Sequence, residues 1–286
     1  IIAAFFLYAL SDTQTKILTN LLPIPMFIVV RNLLIVTMVG LFIYAQNGFR
    51  GFRTKHPLMH LLRGILMVGI IYCAALTFKT LPMAQAYTIL FSAPIWTTLL
   101  GIVLFKESVS WKSWAAILFG FAGVAVAVDL ETWDWSPGLL AAMALAVLFS
   151  INSISSRYID KEEPKAMLAF YNFIPVIFVS GFHSGWPVGE VLSLTGGIWI
   201  HFIAAAGLVA LGIILHGRAF QNAPAYLVAP MHYTQIIYGI IFDFMIWHTA
   251  PSAHTLIGSV MIIAAGLYLI SGKRSSQEEA AKVTFH

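Results

Sequence analysis

Residues 83–105 read MAQAYTILFSAPIWTTLLGIVLF, a continuous stretch without a charged side chain. A helix needs about 20 mostly apolar residues to cross the hydrocarbon core of a bilayer. Further runs of this kind follow one another along the chain. The sequence therefore predicts an all-α integral membrane protein with ten transmembrane helices, at residues 1–18, 25–45, 62–80, 83–105, 112–129, 137–157, 166–183, 197–218, 224–247 and 254–271.

The composition excludes a soluble fold. Hydrophobic residues make up 59% of the 286 residues, charged residues make up only 10%, and the mean hydropathy is +0.86. Soluble domains carry about 25% charged residues, because a globule must present a wettable surface. The apolar runs are continuous rather than alternating, which also argues against a transmembrane β-barrel.

The basic residues lie between the apolar runs and predict the orientation of the chain. With a cytoplasmic N-terminus, 13 of the 16 Lys and Arg residues fall on the inner side, while Lys16, Arg31 and Lys79 fall in the outer half. Membrane proteins carry such an excess on their cytoplasmic side. We therefore expect a multi-pass protein of the inner (plasma) membrane with both termini in the cytoplasm. A nucleic-acid partner is not expected, since no basic run exceeds Lys273-Arg274.

The two halves of the chain are faintly related. A shift of 142 residues superposes four pairs of identical residues: Phe78 on Phe220, Pro82 on Pro224, Ser110 on Ser252 and Ala122 on Ala264. Each half carries five predicted spans, and because five is odd, the second half enters the membrane from the opposite side. Such an inverted-topology repeat is typical of many secondary transporters.

Short motifs in both halves point to one family. In the first half they are Leu81-Pro82-Met83-Ala84-Gln85-Ala86, Phe91-Ser92-Ala93-Pro94, Leu104-Phe105-Lys106-Glu107 and Gly120-Phe121-Ala122-Gly123-Val124. In the second half they are Ala223-Pro224-Ala225, Ala229-Pro230, Tyr233-Thr234-Gln235 and Gly266-Leu267-Tyr268. These stretches resemble the EamA domain of the drug/metabolite transporter (DMT) superfamily over nearly the whole chain. One departure is Thr249, which stands where the first half has Glu107.

The resemblance implies two inverted five-helix repeats around a central cavity that opens alternately to either side of the membrane. It divides the chain into a first EamA repeat at residues 1–130, a second at 136–271 and a polar cytoplasmic tail at 272–286. Members of the superfamily carry amino acids, nucleotide-related metabolites, vitamins and drugs, and export is common among them.

Ionisable residues inside membrane spans are costly and usually face a cavity or a partner. Those predicted in the outer third of the spans are Asp12, Lys16, Arg31, Lys79 and Asp243. Asp12 and Lys16 are one turn apart on the first helix and can pair, with Arg31 at a similar depth. They form either a structural ion pair or an outer gate, with Asp12 as the proton-coupling carboxylate. Asp243 also fits a snorkelling position near the outer interface.

Residues near the membrane midplane form the predicted substrate-binding site: Tyr72, Ser92, Trp96, His232, Gln235 and Tyr238. Ser92 and Trp96 share one face of the fourth helix with Gln85 and Thr88. His232, Gln235 and Tyr238 share a face of the ninth helix, which the repeat pairs with the fourth. Two such faces would make an amphipathic pocket, with aromatic walls and a few polar groups. The alternative is hydrogen bonding between helices that stabilises the bundle.

Prolines and small residues give further expectations. Pro94 and Pro230 lie inside predicted spans, where a proline permits a kink that either serves as a gate or only curves the helix. Small residues recur at close-packing spacing on the fifth and tenth helices: Ala116, Gly120, Gly123, Ala127, Gly258, Ala265 and Gly266. They predict helix contacts within each repeat or a dimer surface.

No catalytic, cofactor-binding, metal-binding or ATP-binding motif occurs in the sequence. Cys73 is the single cysteine, so no intrachain disulfide is expected. The sequence therefore predicts a secondary active transporter rather than an enzyme, driven by a gradient, with protons as the candidate coupling ion.

The expected cargo is a small polar or amphiphilic metabolite, such as an amino acid or a related zwitterion. The expected direction is export by alternating access, performed by a monomer or a homodimer. Three alternatives stay open. They are uptake or exchange of a nucleotide-like metabolite or vitamin by the same fold, an intramembrane lipid-modifying enzyme, and a receptor or scaffold without transport.

Overall fold

The computed structural model describes residues 2–105, 111–128, 136–155, 165–222 and 233–284. Within these ranges the chain is almost entirely helical and contains no β-strand. The all-α class predicted from the sequence is therefore confirmed for this part of the protein.

Several helices of the first half begin close to prolines. They are α1 (Ile2–Leu21), α2 (Ile24–Asn47), a 3₁₀ helix (Gly48–Phe52), α3 (Pro57–Thr80), α4 (Met83–Leu90), α5 (Ala93–Phe105) and α6 (Trp111–Val128). Pro23 and Pro82 are the residues that precede α2 and α4, and Pro57 is the first residue of α3. A helix leaves its first N–H groups without intrahelical partners, so a proline there removes no helical hydrogen bond.

The second half forms α7 (Pro137–Ser155), α8 (Lys165–Ser184), α9 (Val188–Leu192), α10 (Gly196–Asn222), α11 (Thr234–Trp247) and α12 (Ala253–Thr284). The short helix α9 lies in the loop predicted between the seventh and eighth spans. The last helix does not end near residue 271 as predicted but continues to Thr284. Residues 277–282 read QEEAAK, and these residue types all favour helix.

The fourth predicted span is divided into two helices. α4 ends at Leu90 and α5 begins at Ala93, with Phe91 and Ser92 in a turn between them. Ser92 supports the turn, because its Oγ donates to the carbonyl of Ile89 at 2.7 Å and its carbonyl accepts the N–H of Ile95 at 2.9 Å. Pro94 consequently falls in the first turn of α5, where a proline fits, and does not kink a continuous helix.

Several described helices are long and apolar enough to span a bilayer by length and composition: Ile24–Phe52, Pro57–Thr80, Met83–Leu104, Pro137–Ser155 and Gly196–Leu215. Shorter apolar helices lie at Trp114–Ala127, Thr234–Trp247 and Ala253–Tyr268. Large apolar side chains such as Leu41, Val103 and Phe182 point outward from the bundle. Such a surface suits hydrocarbon as solvent. α1 is not among the long apolar helices, because its polar side chains lower its mean hydropathy.

The helices pack in long pairwise contacts. α2 lies against α8 and α6 against α12, while α3 packs on α7 and α1 packs on α10. α4 lies against α11, and α1 also contacts α2, α3 and α11. Lipid tails are as apolar as the side chains between these helices, so close packing rather than the hydrophobic effect holds them together. α1 is thus surrounded by helices from both halves of the chain.

Small residues bring α6 and α12 into close contact. A Cβ added to Gly123 would lie 2.8 Å from the Cβ of Met261 and 3.1 Å from the carbonyl oxygen of Gly258. A Cβ added to Gly258 would lie 2.6 Å from the Cβ of Ala127. This contact joins the two halves of the chain. The expectation of contacts within each repeat holds for Gly120, which lies against Ile95 of α5, and for Gly266, which lies against Tyr233, whereas Gly123 and Gly258 make their contacts between the two halves.

Candidate substrate-binding site

α1 carries the polar side chains around which the site is built. The hydroxyl groups of Thr13, Thr15 and Thr19 donate to backbone carbonyls one turn earlier, at 3.0, 3.0 and 2.8 Å. These bonds satisfy the hydroxyl protons inside the helix, and Oγ1 of Thr13 also lies 3.5 Å from Sδ of Met83 on α4. Four other polar side chains of α1 reach the helices around it: Ser11, Asp12, Gln14 and Lys16.

Lys16 forms a buried ion pair with α11. Its Nζ donates to Oδ1 of Asp243 at 3.0 Å, and the two side chains are only 11% and 2% exposed. The other oxygen of Asp243 accepts the backbone N–H of Ala84 at 3.0 Å, at the N-terminal end of α4. The ammonium also lies 4.2 Å from the ring centroid of Trp247. Both charges therefore have partners that offset the cost of removing them from water.

This pairing corrects two expectations from the sequence. Lys16 does not pair with Asp12, although the two are one turn apart on α1. Asp243 does not snorkel to the interface, because it is 1% exposed and bonded to two other helices. Lys16 and Asp243 are 227 residues apart, so no local spacing rule could have indicated their contact.

Asp12 is held by Tyr87 of α4. The phenol donates to Oδ2 of Asp12 at 2.8 Å, and its ring is buried and stacked on Phe91 with 10° between the ring planes. Gly239 of α11 makes room for this ring, because a Cβ there would lie 2.8 Å from Cδ2 of Tyr87. Asp12 itself is partly exposed. One carboxylate oxygen is thus fixed, and the other has no bond to the described part of the chain.

Arg31 reaches the same stretch of α1 from α2. Its Nη1 donates to Oγ1 of Thr15 at 3.0 Å, and its guanidinium carbon lies 4.9 Å from the ring centroid of Phe27. Thr15 lies one turn beyond Asp12, and the charges of Arg31 and Asp12 interact. The side chain of Arg31 is 7% exposed, and its Nε has no hydrogen-bond partner among the described residues.

α10 closes the other side of α1. Ser11 donates to the carbonyl of Ala205 at 2.9 Å, and Oε1 of Gln14 is hydrogen-bonded to Nδ1 of His201. Gly212 accommodates the ring of Tyr8, because a Cβ there would lie 2.5 Å from Cε1 of the tyrosine. Polar contacts to α2, α4, α10 and α11 therefore converge on one helix.

The predicted polar face of the fourth span points elsewhere. Thr88 Oγ1 lies 2.6 Å from Oγ of Ser259 on α12, and the ring of Trp96 meets Phe121 of α6 at 5.0 Å. Ser92 is buried and bonds to its own turn. The structure therefore places Thr88 against α12 and Trp96 against α6, and none of the three is bonded to Asp12 among the described residues.

The other predicted site residues occupy separate positions. Tyr72 stacks on His183 of α8, with 3.1 Å between its hydroxyl oxygen and Nδ1 of the histidine. Gln235 is buried on α11, and Tyr238 meets Phe6 of α1 edge-to-face at 5.4 Å. Lys79 is partly exposed in the last turn of α3. His232, Pro230 and the side chain of Pro94 lie outside the described part.

Sequence reasoning did not single out Tyr87, Gln14 or His201. Tyr87 lies in an apolar run, where a tyrosine usually packs by its ring. Its hydroxyl would have become informative only once α4 was known to lie near α1. For Gln14, the signal was its position on α1, three residues from Ser11 and two from Asp12.

An apolar helical bundle with charged and hydrogen-bonded side chains around one interior helix defines a class, the multi-pass membrane transporters. The family model of the EamA-like transporter family matches residues 1–128 and 136–272, and the chain belongs to that family. The resemblance inferred from the motifs is thus confirmed. The protein is a multi-pass membrane protein and a DMT-type transporter of small metabolites, not an enzyme.

Its relatives carry names that specify substrates. The S-adenosylmethionine uptake transporter of Rickettsia bellii is 25% identical over 239 residues, covering 82% of this chain and 79% of the relative. The corresponding protein of Rickettsia felis is 27% identical over 235 residues, covering 80% and 77%. The riboflavin transporter of Brucella anthropi is 22% identical over 273 residues, covering 94% and 96%.

One crystal structure of a protein without further description has a similar fold. The two structures superpose with a TM-score of 0.61 at 20% sequence identity, and the superposition covers 97% of this chain and 96% of the other chain. At that identity the likeness supports the fold alone.

Proposed function

We propose that this protein takes up a small metabolite that joins an aromatic heterocycle to a charged head, with S-adenosylmethionine as the first substrate to test. The observation that carries the proposal is the pair of charged groups Asp12 and Arg31 beside one stretch of α1, inside an apolar membrane bundle. Ionisable groups in membrane spans mark substrate or ion pathways. The names of the Rickettsia relatives support this substrate.

We infer ten spans arranged as two inverted repeats, at residues 1–130 and 136–271, with residues 272–286 as a cytoplasmic tail. The helix packing supports this architecture. When each helix is replaced by its counterpart in the other half, the α3–α7 contact becomes the α10–α1 contact, and both contacts are extensive. The same exchange leaves the α2–α8 and α6–α12 contacts unchanged, as expected for contacts that lie across a pseudo-two-fold axis.

Alternating access is the proposed mechanism. The Lys16–Asp243 pair joins α1 to α11. The charge pattern predicts both residues in the outer third of their spans, and we propose that the pair closes the outer end of the pathway. The turn at Phe91 and Ser92, next to Pro94, offers a hinge between α4 and α5. Lys79 and Pro230 remain proposed gating residues.

The proposed pocket combines residues from the sequence and from the structure. Gln235 and Tyr238 of α11 are proposed to line it, because Tyr238 already touches α1 through Phe6. Further candidates for the pathway are Tyr72, Ser92, Trp96 and His232. A proposed adenine-type ring would lie against the aromatic side chains, while the charged head would meet α1.

Import is proposed because the S-adenosylmethionine transporters among the relatives are uptake systems, although export was the direction expected from the sequence. The proposed location is the inner membrane with both termini cytoplasmic, and the unit is a monomer or a homodimer. Protons are the proposed coupling ion, and Asp12, the coupling carboxylate expected from the sequence, is proposed here as a residue of the substrate pathway rather than as the group that carries the proton.

Riboflavin is the second candidate substrate. The relative named for it covers nearly all of this chain. Riboflavin also joins a flat aromatic system to a polar chain, but that chain carries hydroxyl groups and no charge. A site for riboflavin would need hydrogen-bonding groups and no fixed pair of charges.

Flux into proteoliposomes tests the proposal. Purified full-length protein is reconstituted, and uptake of labelled S-adenosylmethionine and of riboflavin is measured with and without an inside-alkaline pH gradient. We expect saturable S-adenosylmethionine uptake that the gradient accelerates. Folded protein that carries neither compound would contradict the proposed function. Equal rates with and without the gradient would contradict the proton coupling alone.

A further inference from the structure

Asp12 and Arg31 present opposite charges to the same region without neutralising each other directly. Among the described residues they form no ion pair with each other, unlike Lys16 and Asp243, whose Nζ and Oδ1 lie 3.0 Å apart. Arg31 is held at Thr15, one helical turn from Asp12, and side chains with this spacing lie about 5–6 Å apart at their Cβ atoms. The arrangement leaves a gap between a cation and an anion.

Both groups keep unused bonding capacity. Oδ2 of Asp12 accepts the phenol of Tyr87, whereas Oδ1 has no partner among the described residues, and the side chain is partly exposed. Nε of Arg31 is buried and unpartnered within the same described ranges. Buried charged groups normally have their hydrogen bonds satisfied, because leaving them unmade is costly.

The neighbouring ion pair shows what a purely structural solution looks like in the same bundle. Lys16 and Asp243 are in direct contact, and the second oxygen of Asp243 is bonded to Ala84. A structural role for Asp12 and Arg31 would be served by the same direct contact. The separation of their charges is instead what a ligand with two opposite charges requires.

We propose that Asp12 and Arg31 form the subsite for an α-amino-acid head group, with the ligand's ammonium at Asp12 and its carboxylate at Arg31. The inference deepens the proposed function and rests on it. A guanidinium offers two parallel N–H donors to a carboxylate, and a carboxylate is the strongest acceptor for an ammonium. A zwitterion bridges the gap and satisfies both groups at once.

The surrounding side chains hold the two charges in position. Tyr87 fixes one oxygen of Asp12, and its own ring is locked between Phe91 and Gly239. Thr15 fixes Nη1 of Arg31, and Phe27 covers the guanidinium. Such fixed orientations reduce the ordering cost of binding a small zwitterion.

Ligands that differ only in the head group test the subsite. The full-length protein in nanodiscs is titrated with S-adenosylmethionine, S-adenosylhomocysteine and 5′-methylthioadenosine by calorimetry. The second ligand keeps the amino-acid group and lacks the sulfonium charge, while the third lacks the amino-acid group. One charge-assisted hydrogen bond accounts for a factor of about ten to a hundred, and because the third ligand lacks both contacts, we expect the first two to bind more tightly than the third by at least that factor.

Variants then assign this discrimination to the two residues. Asp12→Asn and Arg31→Gln should weaken the first two ligands by that factor and leave 5′-methylthioadenosine unchanged, which also reports an intact fold. Arg31→Lys should restore part of the loss. Glu190→Gln, an exposed carboxylate on α9, is the matched control and should change nothing.

Three results would overturn the subsite. One is equal binding of all three ligands by the unmodified protein. Another is an equal loss for all three in both variants and in Arg31→Lys. The third is saturable transport of riboflavin with no binding of either amino-acid ligand. This result would show that the protein is a transporter whose substrate is not a zwitterion. Absence of transport for every compound would instead refute the proposed function beneath it.

Discussion

Lys16 and Asp243 are charged residues that a membrane span accepts only with compensation. The contact between them is 3.0 Å, and Ala84 and Trp247 supply further interactions. A buried pair of this kind adds little to stability compared with apolar residues of similar size, but losing one partner leaves an uncompensated charge. The loss of stability on removing one partner can be measured with substitutions at these two residues.

Replacing Asp243 by Ala should destabilise the protein by about 3–5 kcal/mol, because Lys16 would stay buried without its counter-charge. The double variant Lys16→Met/Asp243→Leu should recover most of that loss. The free energy of unfolding in mixed micelles measures both. Glu190→Ala on α9 is the exposed control and should stay within about 0.5 kcal/mol of the unmodified protein. A double variant no more stable than the single one would contradict the pairing.

Tyr87→Phe removes the hydroxyl that fixes Asp12 and keeps the ring that packs on Phe91. We expect an intact fold and about a tenfold rise in the Kd for S-adenosylmethionine, because the carboxylate loses a charge-assisted bond. Tyr44→Phe is the matched control, since Tyr44 lies exposed at the end of α2. Unchanged affinity in Tyr87→Phe would show that the bond does not orient the site.

At the scale of helices, the apolar runs predicted most of the elements but not their interruptions. The fourth run contains no charged residue, so a single helix was expected at residues 83–105. The structure instead ends α4 at Leu90 and starts α5 at Ala93. Pro94 was the available signal, because a proline is accommodated in the first turn of a helix and disfavoured in its middle. Only the fold decides between these two outcomes.

The small residues between α6 and α12 give a test at the same scale. Gly258→Ala should destabilise the protein by about 1–3 kcal/mol, because its Cβ would collide with Ala127 and the backbone of Gly123. Gly207→Ala on α10 is the matched control. Nothing lies within 4 Å of a Cβ there, so alanine should be neutral or stabilising by about 0.5–1 kcal/mol.

Thermal unfolding in detergent compares the two glycine variants. The predicted order places Gly207→Ala at or above the unmodified protein and Gly258→Ala clearly below it. The opposite order would mean that α6 and α12 do not approach as closely as the backbone of Gly258 indicates.

For the whole molecule, composition and motifs were sufficient to predict a helical membrane protein of the EamA-like family. The site was predictable only in part. Asp12, Lys16, Arg31 and Asp243 could be selected because charges are rare in apolar runs. Their partners could not be predicted, because the pairing depends on how α1, α2 and α11 come together in space. Trp96 was chosen by helical periodicity, which cannot say which neighbour a face will meet.

The most direct test of the central claim is counterflow of S-adenosylmethionine in proteoliposomes. Vesicles loaded with unlabelled substrate and diluted into a trace of labelled substrate should accumulate label transiently above equilibrium, because an alternating-access site exchanges one molecule for another. Asp12→Asn should lower the initial rate by about tenfold if the head group binds there. The account would be contradicted if the label only equilibrated, at the same rate in empty and in loaded vesicles and at the same rate for the unmodified protein and for Asp12→Asn.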